Sequence, residues 1–206
     1  MKVLPCGAEA VLAQFDSLDE ALAFDAALAA GPVPGVLECV PAARTVLVCF
    51  DPSVIGADFL AAQLRRVSTR PPAVRRAAAP APVEIPVRYD GPDLDLVAAH
   101  LGWLREEVVA RHTGSVWRVG FVGFSPGFAY LVGTADLAVP RRAEPRLAVP
   151  AGSVALAGEY CGIYPRVSPG GWQLIGSTDA TVWEPSRSEP ALLTPGLSVR
   201  FVAVGS

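Results

Sequence analysis

The fold of the second half of this chain is decided by the run Val116-Trp117-Arg118-Val119-Gly120-Phe121-Val122, the turn Gly123-Phe124-Ser125-Pro126-Gly127 and the run that continues to residue 132. Apolar residues dominate both runs, with glycine and proline between them, which is typical of two short strands joined by a turn. Further runs of this kind follow at 153–157, 172–175 and 197–202. Short strands at this spacing predict a closed or nearly closed β-barrel.

Upstream of the barrel pattern, the sequence predicts a strand at 84–88 and helices at 92–100 and 103–112, with Pro92 suited to the first position of its helix. The composition changes before that strand, in Pro71-Pro72-Ala73-Val74-Arg75-Arg76-Ala77-Ala78-Ala79-Pro80-Ala81-Pro82. Four prolines among small residues prevent a packed strand or a continuous helix. We therefore predict an N-terminal α+β domain at 1–70, a Pro/Ala-rich linker at 71–83 and a barrel domain at 84–206.

The N-terminal segment shows its own order of elements. A strand is predicted at 10–15, and Ser17 with Glu20 forms a capping box that opens a helix ended by Gly31-Pro32. Paired strands are predicted at 36–40 and 45–50. A second helix follows, with these side chains inward: Phe59, Leu60, Leu64 and Val67. This order resembles a small ferredoxin-like α+β unit that lacks or displaces its last strand.

The composition excludes several classes of function. The 206 residues are 51% hydrophobic and 18% charged, as in folded globular proteins. A net charge of -3 without a basic block argues against nucleic acid, which binds clustered Lys and Arg. Lys2 is the only lysine, so no phosphate-binding loop of the form GxxxxGK[ST] is present, and any ATP is expected on another chain.

The cysteines and the hydropathy pattern indicate a reduced, soluble protein. Cys6, Cys39, Cys49 and Cys161 show no CxxC spacing, and three of them lie beside or within apolar runs, so we expect neither a disulfide nor a metal site. No apolar run approaches the ~18 residues that span a bilayer. We expect a cytoplasmic location and no membrane partner.

The turn at 123–127 matches the GxSxG pattern of a nucleophile elbow, but its chemistry argues against a serine hydrolase. The residue after the nucleophile must lend a backbone N–H to the oxyanion hole, and Pro126 has none, while a strand pattern follows instead of a helix. The turn is then either a plain tight turn or the rim of a pocket. Aromatic residues crowd around it: Phe121, Phe124, Phe128 and Tyr130.

The segment Pro140-Arg141-Arg142-Ala143-Glu144-Pro145-Arg146 predicts an ordered loop with concentrated positive charge. It is either a solvated charged loop or an anion-binding site, because guanidinium groups bind carboxylates and phosphates through paired hydrogen bonds. Arg142 and Arg146 are the candidates for the second role.

Two further features are candidates for function. The Gly-rich stretch at 164–176 predicts a turn and strand where backbone can approach a ligand closely, although a hairpin without a ligand explains it as well. His112 closes a predicted helix, whose C-terminal end favours a protonated imidazole, and it is a candidate for catalysis. His100 is expected to be structural.

Five of these motifs, in this order, resemble one known family: Gly123-Phe124-Ser125-Pro126-Gly127-Phe128-Ala129-Tyr130-Leu131, the 140–146 segment, Val149-Pro150-Ala151-Gly152-Ser153-Val154, Gly162-Ile163-Tyr164-Pro165 and Ser168-Pro169-Gly170-Gly171-Trp172-Gln173-Leu174-Ile175-Gly176. The chain is similar to the allophanate hydrolase subunit 1 family, which includes the B subunit of 5-oxoprolinase and the sporulation-kinase inhibitor KipI. The resemblance covers nearly all of 84–206 and is weaker before it.

The resemblance implies a small α+β domain followed by a cyclophilin-like β-barrel. It also implies the B subunit of an ATP-dependent 5-oxoprolinase, which opens the ring of 5-oxoproline to give glutamate. The ATP would be held mainly by partners, namely a paralogous C subunit, similar to allophanate hydrolase subunit 2 and KipA, together with an A subunit. In that scheme Arg142 or Arg146 clamps the substrate carboxylate and His112 transfers protons. The expected pocket residues are Phe128, Tyr130, Tyr164, Trp172 and Gln173.

The same resemblance leaves other functions open. A KipI-like chain would bind a sensor histidine kinase through its aromatic surface, and another member would act on allophanate or a urea-derived amide. Many members have Gln-Thr where this chain has Tyr160-Cys161, so the substrate is not decided by the motifs.

Overall fold

The computed structural model describes residues 1–67 and 81–205. The chain divides into two compact units, Met1–Ala79 and Pro80–Ser206. Most of the predicted linker at 71–83 lies outside the described residues, so its limits stay a prediction.

The N-terminal unit packs two helices on a four-stranded antiparallel sheet. Ser17 caps the first helix as predicted, because its Oγ accepts a hydrogen bond of 3.2 Å from the Glu20 backbone N–H. The elements are β1 (Lys2–Pro5), β2 (Ala10–Gln14), α1 (Leu18–Ala30), β3 (Val36–Pro41), β4 (Thr45–Phe50) and α2 (Ala57–Leu64).

Two predictions for this unit need correction. Strand β1 was not predicted, and it pairs with β2 at the edge of the sheet, whose order is β1-β2-β4-β3. Phe59 was predicted to face inward, yet it is 61% exposed, while Leu60 and Leu64 are fully buried. Residues four apart share one helix face, and Phe59 lies off the face that these two leucines define. The ferredoxin-like assignment stays a prediction.

The C-terminal unit has two helices and nine strands within its described residues. Its helices are α3 (Leu94–Leu101) and α4 (Arg105–Gly114). Its strands are β5 (Val83–Val87), β6 (Trp117–Val122), β7 (Ala129–Gly133), β8 (Arg146–Val149), β9 (Ser153–Ala157), β10 (Tyr160–Ile163), β11 (Ser168–Gly170), β12 (Gln173–Ser177) and β13 (Ser198–Ala203). The sequence did not predict β8, β10 or β11, which are each four residues or shorter.

Seven of these strands form a sheet in the order β12-β9-β10-β7-β6-β13-β5. Its two ends meet where Arg88, after β5, and Ser177, in β12, exchange backbone hydrogen bonds of 2.8 Å each. Gly176 permits this approach, since a Cβ there would collide with the Arg88 carbonyl. The nearly closed β-barrel is therefore confirmed, and β8 pairs with β11 as a separate two-stranded ribbon.

Asp93 at the start of α3 holds a buried ion cluster in this unit. Its carboxylate, in a residue that is 1% exposed, accepts hydrogen bonds from Arg142 Nη1 at 2.9 Å and from Arg146 Nη1 and Nη2 at 2.9 and 2.8 Å. The Leu174 backbone N–H donates to it at 2.8 Å. Burial alone would raise the pKa of Asp93, but these donors and positive charges outweigh it and lower the pKa.

This cluster gives Arg142 and Arg146 a partner inside the protein. Both guanidinium groups bind the protein's own carboxylate, so a substrate carboxylate would have to compete with Asp93 for them, and their role as a substrate clamp stays a prediction. The physical reason is that a buried carboxylate is stable only when it is paired. The anion that the sequence pattern indicated is therefore internal.

His112 also lies away from solvent. Its imidazole is 0% exposed, stacks on Phe201 at 4.3 Å and hydrogen bonds through Nδ1 to Tyr89 Oη at 2.7 Å and through Nε2 to Cys161 Sγ at 3.2 Å. Burial lowers the pKa of His112 to about 3. The predicted protonated state of His112 is wrong, because the cost of burying the charged form exceeds the attraction of the helix end. Its predicted catalytic role stays a prediction, for a ring whose two nitrogens both have partners inside the protein.

Replacing Asp93 with Asn tests the ion cluster. The change leaves two partly buried guanidinium groups facing a neutral amide, and we expect the C-terminal unit to lose about 3 kcal/mol of unfolding free energy, the lower end of the range for buried pairs. All four tryptophans lie in this unit, so urea unfolding followed by tryptophan fluorescence reports on it.

The matched control is Asp95→Asn, since Asp95 pairs with Arg105 through a side chain that is 73% exposed. A loss below about 1 kcal/mol is expected there, as for exposed ion pairs in general. Equal losses in the two variants would contradict a special role for Asp93.

His112 predicts a pH dependence of stability. Its folded pKa of about 3 lies below the ordinary 6.5, so between these values the unfolded state binds a proton that the folded state does not. Stability should therefore fall as the pH drops from about 6.5 to 4.5, by up to about 1.4 kcal/mol per pH unit. His112→Gln should remove this slope, and the control His100→Gln should keep it, as measured by urea unfolding at each pH. An unchanged slope in His112→Gln would show that the pH dependence does not come from His112.

Candidate functional site

The segment at 123–127 is a tight turn between β6 and β7. Phe124 has a φ of 66° and Gly127 a φ of 80°, and a Cβ on Gly127 would collide with Trp183. Ser125 Oγ is buried and, within 1–67 and 81–205, has no hydrogen-bond partner. With Pro126 lacking an N–H and strand β7 following, the turn has neither the base nor the oxyanion hole of a serine hydrolase.

A concavity of about 250 Å³ lies beside this turn. It is bounded by the turn, by the 140–146 segment and by the Gly-rich stretch, so three of the segments noted in the sequence converge on it. Its lining residues are Phe124, Phe128, Tyr130, Arg141, Pro145, Tyr164, Pro169, Gly170, Gly171 and Trp172. We call this concavity the aromatic pocket.

Phe128 is the centre of the pocket wall. It is 1% exposed and meets four rings in edge-to-face geometry, with centroid distances of 5.3 Å to Phe124, 5.2 Å to Tyr130, 5.4 Å to Tyr164 and 5.3 Å to Trp172. Such pairs add to the stability that burial of each ring supplies. The wall is therefore a packed and preformed surface, and Phe124, at 61% exposed, is its outer edge.

Arg141 supplies the positive charge of the pocket. Burial raises the pKa of Tyr130 and of Tyr164, and the charge of Arg141 opposes that rise in both phenols. The guanidinium also lies close to Gly171, where a Cβ would be 3.4 Å from Arg141 Nη2. Gly170 likewise leaves room for the Tyr164 hydroxyl. The two glycines therefore allow the Arg141 guanidinium and the Tyr164 ring to approach the same stretch of backbone.

The residues on both sides of Arg141 are anchored. The Pro140 carbonyl accepts a hydrogen bond of 3.1 Å from Gln173 Nε2, and the Arg142 N–H donates to the Gly171 carbonyl at 2.8 Å. Arg142 is held further by Asp93. Arg141 therefore leaves a fixed stretch of backbone, while its own side chain is exposed.

The structure brings together most of the residues predicted for the pocket. Phe128, Tyr130, Tyr164 and Trp172 line it, whereas Gln173 lies next to it and ties down the 140–146 segment. Whether these residues contact a substrate stays a prediction.

Arg141 was missed, although it stands next to a predicted arginine. Arg142 binds Asp93, whereas Arg141 takes no part in that cluster and lines the pocket. The sequence shows the two arginines side by side, but it does not show that Asp93 lies beside Arg142 and pairs with it.

The two residues that depart from the family pattern lie outside the pocket lining. Tyr160 packs its ring against Tyr130 at 5.7 Å, behind the wall, and Cys161 points into the barrel toward His112. Burial raises the pKa of Cys161, which keeps the thiol protonated and unsuited to nucleophilic attack. In this chain Tyr160 therefore supports the wall, and Cys161 is a core partner of His112.

Neither a metal cluster nor a spanning helix is found in the part of the chain that the structure describes. No group of three or more His, Cys, Asp and Glu side chains there could hold a metal ion. No helix among those residues is long and apolar enough to cross a membrane.

Comparison with known proteins identifies relatives over most of the chain. The B subunit of 5-oxoprolinase from Escherichia coli O157:H7 is 44% identical over 175 residues, which cover 82% of this chain and 79% of the relative. The B subunit of 5-oxoprolinase from Bacillus subtilis (strain 168) is 38% identical over 191 residues, covering 84% of this chain and 78% of the relative.

Solved structures share the fold. A chain described as TTHA0988 superposes with a TM-score of 0.76 and 38% identity, covering 96% of this chain and 40% of that one. A conserved uncharacterized protein from Pyrococcus horikoshii gives a TM-score of 0.60 and 36% identity, covering 100% of this chain and 98% of that one. The urea amidolyase of Kluyveromyces lactis gives a TM-score of 0.79 at 20% identity, covering 98% of this chain and 15% of that one, which is a likeness of fold alone.

A family model described as "Carboxyltransferase domain, subdomain C and D" matches residues 1–193. The match spans both structural units. The chain therefore belongs to this family, which it shares with the B subunit of 5-oxoprolinase.

Proposed function

We propose that this chain is the B subunit of an ATP-dependent 5-oxoprolinase complex, and that the aromatic pocket holds the cyclic amide while partner subunits supply ATP and the reacting groups. The relatives named as B subunits of 5-oxoprolinase support this assignment, since they match 82% and 84% of the chain. The name of those relatives also describes a protein that works beside other subunits.

The residue types that line the pocket support the proposal that this chain binds the substrate and does not catalyse the reaction by itself. Its described lining contains one guanidinium, two phenols and an indole, but no carboxylate, imidazole or thiol. The phenols have raised pKa values and stay protonated, so they donate hydrogen bonds and do not act as bases. A lactam resists water, and its hydrolysis needs activation that such a lining does not provide.

The partner subunits would close the pocket and bring the nucleotide. The chain has no phosphate-binding loop and a single lysine, Lys2, so we propose that the C and A subunits hold ATP. In the TTHA0988 chain the matched unit is only 40% of the length, so there it is joined to further polypeptide. We propose that a separate subunit takes the corresponding place here.

The proposed reaction divides between the subunits as follows. Phosphoryl transfer from ATP to the amide oxygen would release ADP and turn the lactam into a better electrophile. Attack by one water and cleavage of the ring C–N bond would give glutamyl phosphate, and a second water would release phosphate and leave glutamate. The contribution of this chain is to fix the ring against Tyr130 and Trp172, to exclude bulk water and to place a positive charge beside the anionic intermediate.

Reconstitution tests this proposal. The chain co-expressed with the A and C subunits should release ADP and glutamate when 5-oxoproline is added, while the chain alone should release neither, because its pocket lacks catalytic groups. Coupled ADP detection and amino-acid analysis measure both products. Turnover of allophanate in place of 5-oxoproline, or no turnover of 5-oxoproline by the full complex, would refute the assignment.

A further inference from the structure

We infer that Arg141 is the carboxylate-binding residue of the aromatic pocket, and that this pocket selects small cyclic amides that carry one carboxylate. The inference rests on the proposed function and deepens it, because it assigns the acidic group of the substrate to one side chain. It replaces the role that the sequence suggested for Arg142 and Arg146.

The pairing of the neighbouring arginines singles out Arg141. Arg142 and Arg146 are 29% and 23% exposed at the side chain and are both bound to Asp93. Arg141 is exposed, lines the pocket and, within the described ranges 1–67 and 81–205, forms no hydrogen bond or ion pair. Its donors are available to a ligand at no cost in broken protein contacts.

The surroundings of Arg141 match the two parts of such a ligand. The guanidinium is a rigid fork that meets a carboxylate in two parallel hydrogen bonds. Tyr130, Tyr164 and Trp172 line the same concavity, so the apolar ring atoms of the ligand can lie against them while its carboxylate reaches Arg141. A ligand with both an apolar ring and a carboxylate therefore satisfies the pocket.

The size of the pocket restricts the ligand further. Its volume is about 250 Å³, below the ~300 to 1,000 Å³ of sites that hold drug-sized molecules and cofactors. A small cyclic amide fits a concavity of this size, whereas a whole nucleotide would extend outside it, which favours the substrate carboxylate as the anion at Arg141.

The backbone around Arg141 makes the contact preorganised. Pro140 is tied to Gln173, and Arg142 is tied to Gly171 and Asp93, so the chain on either side of Arg141 is fixed before any ligand arrives. Only the rotamers of one side chain have to be ordered on binding, which keeps the entropic cost low.

The test compares 5-oxoproline with 5-oxoprolinamide, which has the same ring and a neutral amide in place of the carboxylate, in the reconstituted complex. Arg141→Ala should raise the KM for 5-oxoproline about 10- to 100-fold, as expected for loss of a hydrogen bond to a charged group, with a smaller change in kcat. It should leave the KM or inhibition constant of 5-oxoprolinamide within about twofold. Arg141→Lys should recover part of the loss, because it restores the charge but not the fork.

Arg200→Ala is the matched control, since Arg200 is an exposed arginine on β13 that does not line the pocket. It should behave as the unchanged complex with both compounds, and thermal unfolding should show that the Arg141 variants fold normally. An active complex in which Arg141→Ala leaves the KM for 5-oxoproline unchanged, or weakens both compounds equally, overturns this inference alone. A complex that does not turn over 5-oxoproline overturns the proposed function and this inference with it.

Discussion

The buried carboxylate of Asp93 is the constraint on which the rest of the barrel unit depends. It lies at the start of α3, yet its partners come from the 140–146 segment and from β12. An unpaired carboxylate at 1% exposure would be strongly unfavourable, so helix, segment and strand are held in one arrangement. The strands alone would not specify where the 140–146 segment lies.

The three neighbouring arginines divide two roles between them. Arg142 and Arg146 neutralise Asp93, and in doing so they fix the backbone from which Arg141 extends into the aromatic pocket. The charges that stabilise the fold and the charge that lines the pocket are thus adjacent in sequence but have different surroundings. A cation placed in this way is already oriented before a ligand binds, which is how proteins hold anions with little reorganisation.

The polar side chains inside the barrel bind one another and do not face the pocket. Tyr89, His112 and Cys161 form a hydrogen-bonded chain in an apolar core, where burial keeps the imidazole neutral and raises the pKa values of the phenol and the thiol, so both stay protonated. None of them belongs to the lining of the aromatic pocket. His112, the residue that the sequence suggested for proton transfer, therefore lies in the core and not in the pocket lining.

The sequence by itself determined the strands of five or more residues, the Ser17–Glu20 capping box, the nearly closed barrel and the motifs that mark the family. These are local patterns, because strand period, turn residues and caps depend on neighbours within a few positions. Only the tertiary structure decided that Phe59 is exposed, that His112 is buried and neutral, and that Arg141 and not Arg142 faces the pocket. The physical reason is that burial and the choice of ion partner depend on residues such as Asp93 and Cys161, which lie 49 positions from Arg142 and His112 respectively and meet them only when the barrel closes.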